Sequence, residues 1–344
     1  MTDPRTGVDG EPDGNELDLD LDLGLGLGLA GVEVDHDEIA VQQVRARAFG
    51  KLFGEQLPSP TIGRFTVLRE VGRGGMGVVY AAFDPQLERD VALKVLRRQG
   101  RDADDRGQGR LLREARAVAR LSHPNVVTVY EVGEDRGAVH IAMELLDAVT
   151  LRRHVATLAD DWRAIVLVYI AAGRGLAAAH GAGIVHRDFK PDNVLVVRAT
   201  PGSHGVERVC VTDFGLASAA RVAVPTHAPS TDPATAGVVG TVPYMAPEQL
   251  RGAPTTASAD QFAFCVALWE ALVGRRPFVG DSVAALAAAI DAGELGQPSD
   301  TRVPSAILGL LRTGLAAQPE ARHPDMGVLL DALHQAAQPR ARPW

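Results

Sequence analysis

Residues 186–193 read His186-Arg187-Asp188-Phe189-Lys190-Pro191-Asp192-Asn193, and twenty residues later comes Asp213-Phe214-Gly215. The pairing sets Asp188, Asn193 and Asp213 on two short loops around the apolar run 194–197. A strand-like run, Val209-Cys210-Val211, leads into the second loop. Two carboxylates and a carboxamide so placed suit the movement of a phosphoryl group. Asp213 and Asn193 can hold a divalent metal on a triphosphate, and Asp188 can accept a hydroxyl proton. Lys190 can neutralise charge developing on the transferred group.

Working upstream, Val71-Gly72-Arg73-Gly74-Gly75-Met76-Gly77-Val78-Val79-Tyr80 places a glycine-rich turn between apolar, β-branched residues. Glycine lets backbone approach phosphate closely because no Cβ intervenes. The same spacing fits a dinucleotide site, but there a helix follows the glycines. Here Val78-Val79-Tyr80 favours a second strand, so a hairpin lid is expected. Val91-Ala92-Leu93-Lys94 then reads as a strand with one lysine, and 111–121 as a helix bearing Glu114. A lysine that bridges phosphates needs an anionic partner to fix its long side chain, and Glu114 is the candidate.

These motifs, in this order, resemble those of a protein kinase of the eukaryotic-like serine/threonine type found in bacteria. The resemblance extends to Ala246-Pro247-Glu248, Asp260 and Arg322, and covers about four fifths of the chain, residues 63–336. It implies an α+β, bilobal fold: a small antiparallel β lobe with one main helix, and a larger α-rich lobe. It implies ATP with Mg²⁺ or Mn²⁺, and proteins bearing serine or threonine as acceptors. Positions 71–79, Ala92, Lys94, Glu144 and Leu146 correspond to the nucleotide site, with 143–146 as the hinge. Asp188, Lys190, Lys94 and Glu114 correspond to the catalytic set, and Asn193 and Asp213 to the metal holders. Lysine two residues after the catalytic aspartate marks the serine/threonine type. By the same resemblance Thr241 touches the catalytic aspartate and lysine, Glu248 pairs with Arg322, and Asp260 holds the catalytic-loop backbone. Departures are few: Phe189 stands for the usual leucine, Val118 is smaller than usual, and a polar insertion, 198–208, lengthens the Asn193–Asp213 spacing.

The polar stretch 216–240 contains Thr226, Ser230, Thr231 and Thr235. Arg187, beside the catalytic aspartate, suits capture of a phosphate there, so activation by autophosphorylation is expected. Two rivals share the fold. A pseudokinase scaffold is opposed by the intact set Lys94, Glu114, Asp188, Asn193 and Asp213. A small-molecule phosphotransferase is opposed by Ala246-Pro247-Glu248 and the long 216–240 stretch.

The whole chain bounds the rest. Apolar content of 46% and charged content of 23% are ordinary for a globular protein. The net charge of −8 divides into −11 over residues 1–40 and +3 over the remainder, which gives no sign of a nucleic-acid-binding face. Two cysteines in apolar runs, Cys210 and Cys265, read as buried thiols in a reducing compartment. An acidic N-terminus, the lack of an uninterrupted apolar span and an end soon after the last kinase helix lead to the expectation of a cytoplasmic, stand-alone kinase. Oligomeric state is not legible.

Expected domains are an acidic tail over 1–37, an amphipathic helix and linker over 38–62, a kinase domain over 63–338 with lobes 63–146 and 147–338, and a short tail over 339–344. The Leu-Asp and Leu-Gly alternation of 17–29 reads as solvated low complexity or as a segment that adds to a partner's sheet edge. The 38–53 helix reads as a cap on the small lobe or as a docking element. Residues 99–109 are expected to be a mobile connector, and helices are expected near 162–180, 257–273, 282–292, 303–316 and 325–337.

Overall fold

The computed structural model describes residues 59–75, 77–96, 105–199, 205–214, 242–296 and 302–338. The expected tail of 1–37, the 38–53 helix, Met76, Gly215, the hydroxyls Thr226, Ser230, Thr231, Thr235 and Thr241, and the terminal 339–344 lie outside the described residues.

The small lobe is a six-stranded antiparallel sheet. Its strands are β1 (Thr61–Ile62), β2 (Phe65–Gly74), β3 (Gly77–Asp84), β4 (Arg89–Leu96), β5 (Val129–Asp135) and β6 (Ala138–Glu144), in the order β1-β2-β3-β4-β6-β5. The β3 and β4 segments are mostly apolar runs with both faces buried, as strands covered on two sides are. The sheet curls until its ends meet: the Gly63 amide donates to Asp135 Oδ2 at 2.9 Å, and Arg64 bridges Asp84 and Glu131. One face closes over Phe65, Tyr80, Val91 and Leu93; the other packs Leu96, Val127 and Ile141 against Leu112 and Ala115 of helix α1 (Asp105–Val118).

Two readings change here. The sheet begins in the expected linker, because Ile62 pairs with Phe65 and is fully buried. The expected connector 99–109 is helical from Asp105 onward, so packing of the Leu112/Ala115 face overrides the two glycines at 107 and 109.

The large lobe holds α2 (Leu151–Val155), α3 (Trp162–Gly181), α4 (Pro247–Leu250), α5 (Ala257–Val273), α6 (Val283–Asp291), α7 (Ser305–Gly314) and α8 (Met326–Ala337). Asp161, Ser282 and Asp325 accept hydrogen bonds from the first turns of α3, α6 and α8, satisfying amides that the helix leaves unpaired. A three-stranded sheet, β7 (Ala148–Thr150), β8 (Val194–Arg198) and β9 (Val206–Val211), lies beneath the cleft. The expected polar insertion is thus shorter, since 206–208 continue β9. Among the described residues α3 alone is long and apolar enough to cross a membrane. Ten of its residues, Tyr169 and Leu176 among them, are buried in the lobe's core with Phe262, Phe264 and Trp269 of α5. Each such large side chain contributes about 1.5–3 kcal/mol by leaving water.

Candidate active site

Local chemistry shapes the 186–193 loop. Asp260, in the first turn of buried α5, accepts hydrogen bonds from the amides of His186 (2.8 Å) and Arg187 (2.7 Å) and contacts His180 Nε2 at 2.7 Å. That clamp holds Arg187 in a left-handed backbone conformation, φ 65°. His186 is fully buried: its Nδ1 accepts from the Asp188 amide (3.2 Å), so Nε2 is the donor to the Thr212 carbonyl (2.9 Å). The imidazole is a strut between the two loops, edge-on to Phe189 and tilted against Phe214. The Thr212 amide donates to the Asn193 carbonyl (3.0 Å), a second tie.

Within this frame the polar groups converge. Asp188 is buried; its Oδ2 accepts from Lys190 Nζ (3.0 Å) and Asn193 Nδ2 (3.1 Å), and Asn193 Nδ2 also reaches the Asp188 carbonyl (2.8 Å). Oδ1 takes no hydrogen bond among the described residues. Asp213, also left-handed at φ 66°, lies 2.8 Å through Oδ1 from Lys94 Nζ. Burial pushes the Asp213 carboxyl up, but Lys94, helped by Lys190, more than reverses this and holds it below the usual carboxylate range. The lysine of the small-lobe sheet and the acid of the large-lobe loop therefore face one another in a single cleft.

Glu114 departs from the expected partnership. Lys94 pairs with Asp213, while Glu114 pairs with Arg187 Nη1 at 3.3 Å. One ammonium cannot fully serve two carboxylates, and it sits on Asp213, whose ionised form it sustains. Glu114 takes a guanidinium from the 186–193 loop instead. Arg187, expected to capture phosphate, is thus engaged with Glu114 in this structure.

Above the cleft, residues 71–75 and 77–79 belong to the β2–β3 hairpin, with Gly74 opposite Gly77. Gly77 has φ +151°, and a Cβ there would meet the Val95 carbonyl oxygen at 2.1 Å. Strand register sets Val79 and Ile141 beside Lys94, and Met143 beside Ala92. Glu144 closes β6, and its Oε1 accepts from Arg208 Nη1 at 2.6 Å; Leu146 follows two residues on and is partly buried. Arg208 also donates to the Pro124 and Val126 carbonyls, so it joins β9 to the segment before β5.

Farther out, Arg322 forks onto Glu248 with both contacts at 2.8 Å, and it further donates to carbonyls of Ala316, Ala317 and Ser258. Gln249 Nε2 donates to the Arg187 carbonyl (2.9 Å), which ties α4 to the 186–193 loop. Sequence reasoning missed Gln249 and Arg208, because neither stands in a patterned position. Adjacency to Ala246-Pro247-Glu248 is the only signal that pointed towards Gln249.

Comparison with known proteins agrees with this geometry. The protein kinase domain family matches residues 65–331. The chain is 40% identical over 242 residues to the probable serine/threonine-protein kinase PknB of Lactococcus lactis, covering 69% of this chain and 35% of that protein. It is 37% identical over 279 residues to serine/threonine-protein kinase PknE of Mycobacterium tuberculosis, covering 80% and 46%. A crystal structure of the PknI kinase domain of M. tuberculosis, a double mutant, superposes with a TM-score of 0.61 at 27% identity, over 83% of this chain and all of that one. The chain spans less than half the length of the curated relatives named here. It belongs to the protein kinase domain family, in the eukaryotic-like serine/threonine branch found in bacteria.

Proposed function

We propose that this chain transfers the γ-phosphoryl group of ATP to serine and threonine hydroxyls of proteins. The observation that carries the reading is the joined set Asp188–Lys190–Asn193 and Lys94–Asp213 in one cleft. Asp188 offers Oδ1 to an incoming hydroxyl, while Lys190 and Asn193 fix Oδ2 and keep the carboxylate oriented. Lys190, beside the acceptor, neutralises charge on the transferred group. Lys94 draws phosphate oxygens, and the β2–β3 hairpin covers them with backbone amides. The adenine edge faces the hinge at 143–146. Positioning supplies most of the acceleration, because the transition state is loose.

The residues present fit a magnesium or manganese ion. Asn193 spends its amide nitrogen on Asp188, which leaves Oδ1 as an oxygen donor, and Asp213 is held ionised. Hard oxygen donors of this kind suit Mg²⁺, with phosphate completing its shell. When bound, the metal supplies charge neutralisation on the nucleotide. Asn193 and Asp213 would hold it.

Autophosphorylation within 226–235 is the proposed switch: a new phosphate competes with Glu114 for Arg187 and frees Glu114 to approach Lys94. The reading places the protein in the cytoplasm. Incubation of the full chain with ATP and Mg²⁺ beside a lysate, followed by phosphopeptide mapping, tests the transfer and the switch. Phosphoserine and phosphothreonine on proteins and on 226–235 are expected. Label on small molecules alone would favour the small-molecule phosphotransferase, and an active chain without phosphate at 226–235 would reject the switch.

A further inference from the structure

Beside the 186–193 loop lies a connected set of charges that the transfer chemistry leaves unused. Asn193 turns inward to Asp188, but its neighbour Asp192 turns out and is 44% exposed. Arg152, from α2, grips Asp192 with Nε at 3.0 Å from both oxygens and Nη2 at 2.8 Å from Oδ2. The same Nη2 donates to the Tyr244 hydroxyl (2.8 Å), and that hydroxyl donates to Glu270 Oε2 (2.5 Å). Arg276 Nε reaches the other Glu270 oxygen at 3.2 Å. Tyr244, just past the outer end of the 216–240 stretch, is itself buried and anchors the set.

Both carboxylates on this surface are therefore already matched by guanidinium groups. The unspent donors are cationic. Arg152 Nη1 makes only a 3.9 Å ion pair to Glu270, and Nη1 and Nη2 of Arg276 make no hydrogen bond among the described residues. Each arginine side chain is 44% exposed, against 22% for Glu270. The bond to Asp192 keeps Arg152 firmly charged. An acceptor chain that brings a hydroxyl to Asp188 along this side meets free N–H groups of two cations, beside carboxylates already paired with guanidinium groups. A flanking Glu or Asp gains charge-assisted hydrogen bonds, and a flanking Lys or Arg meets like charge.

We propose that Arg152 and Arg276 are specificity-determining residues that select acceptor segments with carboxylate side chains flanking the serine or threonine. The inference rests on the phosphotransfer reading above and names the acceptor class for that site.

The test uses the full chain and three peptides alike except that one threonine is flanked by Glu, by Ala or by Lys. The expected order of kcat/KM is Glu above Ala above Lys, each step about three- to tenfold at low salt and shrinking as salt is added. Arg276→Ala is expected to pull the Glu/Lys ratio towards one through KM, with the Ala-flanked peptide unchanged, and Arg276→Lys to keep part of the preference. Arg152→Ala uncovers Asp192 and is expected to favour the Lys-flanked peptide. A wild-type preference for Lys, equal use of all three peptides, or an Arg276→Ala loss shared by all three would each overturn the proposal while self-phosphorylation continues. Absence of transfer to every peptide and to the chain itself would overturn the phosphotransfer reading, and the proposal with it.

Discussion

Lys94 Nζ lies 2.8 Å from Asp213 Oδ1, and this contact joins the small-lobe sheet to the loop that follows β9. Its consequences show in one variant. Lys94→Met keeps the volume and loses the charge, so the fold is expected to survive while transfer falls by about a thousandfold or more. The same variant removes the strongest influence that lowers the Asp213 pKa. A depressed folded pKa contributes stability above the unfolded value of about 3.9 and loses it as pH falls through the folded value. Lys94→Met is therefore expected to shift acid unfolding, followed by circular dichroism, to higher pH. Near-normal turnover or an unmoved acid midpoint would count against the contact's role.

Asp260 holds two backbone amides and one imidazole at 2.7–2.8 Å. Asp260→Ala leaves the buried His186 amide and the part-buried Arg187 amide unpaired, at a cost of about 2–5 kcal/mol by urea unfolding. Asp260→Asn keeps one accepting oxygen and is expected to fall between. Both should lower kcat more than they raise KM for ATP, since the loop that carries Asp188 loosens before the nucleotide site does. An unchanged kcat in Asp260→Ala would remove the clamp from the account.

The Arg322 side chain is wholly buried on Glu248. Breaking a buried pair from one side costs about 3–5 kcal/mol, because the remaining charge stays in low dielectric. Arg322→Ala should show that loss in chemical denaturation. Pairing it with Glu248→Gln should return part of the loss, whereas strictly additive effects would mean that the two groups act independently.

The glycines of the hairpin are not equivalent. Gly77→Ala forces a Cβ against the Val95 carbonyl at an unfavourable φ, and is expected to raise KM for ATP about tenfold or more through strain of about 1–3 kcal/mol. A Cβ at Gly74 meets nothing within 4 Å, so Gly74→Ala should leave stability within about 0.5 kcal/mol of wild type. Equal thermal shifts for the two variants would contradict this distinction.

The short-range chemistry was legible in the sequence and the choice of partners was not. The hairpin glycines, the lone lysine of β4 and the 186–193 loop announce themselves through spacing and residue type, because each depends on a few neighbours. Whether Lys94 takes Glu114 or Asp213 depends on where α1 lies against the large lobe, which no local pattern encodes. The Glu114–Arg187 pair crosses 73 positions and belongs to the same class. Strand β1 has two residues and carries no periodicity, so its burial of Ile62 was invisible. Helix α1 starts earlier than its glycine-containing first turns suggested, since packing rather than propensity decides it. Arg152, Arg208 and Gln249 look like ordinary surface residues until the fold gives them carbonyls and carboxylates to hold.

The most direct test is transfer of γ-labelled phosphate from ATP to a generic serine/threonine-bearing protein, by wild type and by Asp188→Asn, each shown to be folded. The account expects ready, magnesium-dependent transfer by wild type and a loss of about a thousandfold in the variant, with nucleotide binding retained. Wild-type transfer that survives Asp188→Asn at full rate would contradict it, as would a folded, nucleotide-bound wild type that transfers nothing.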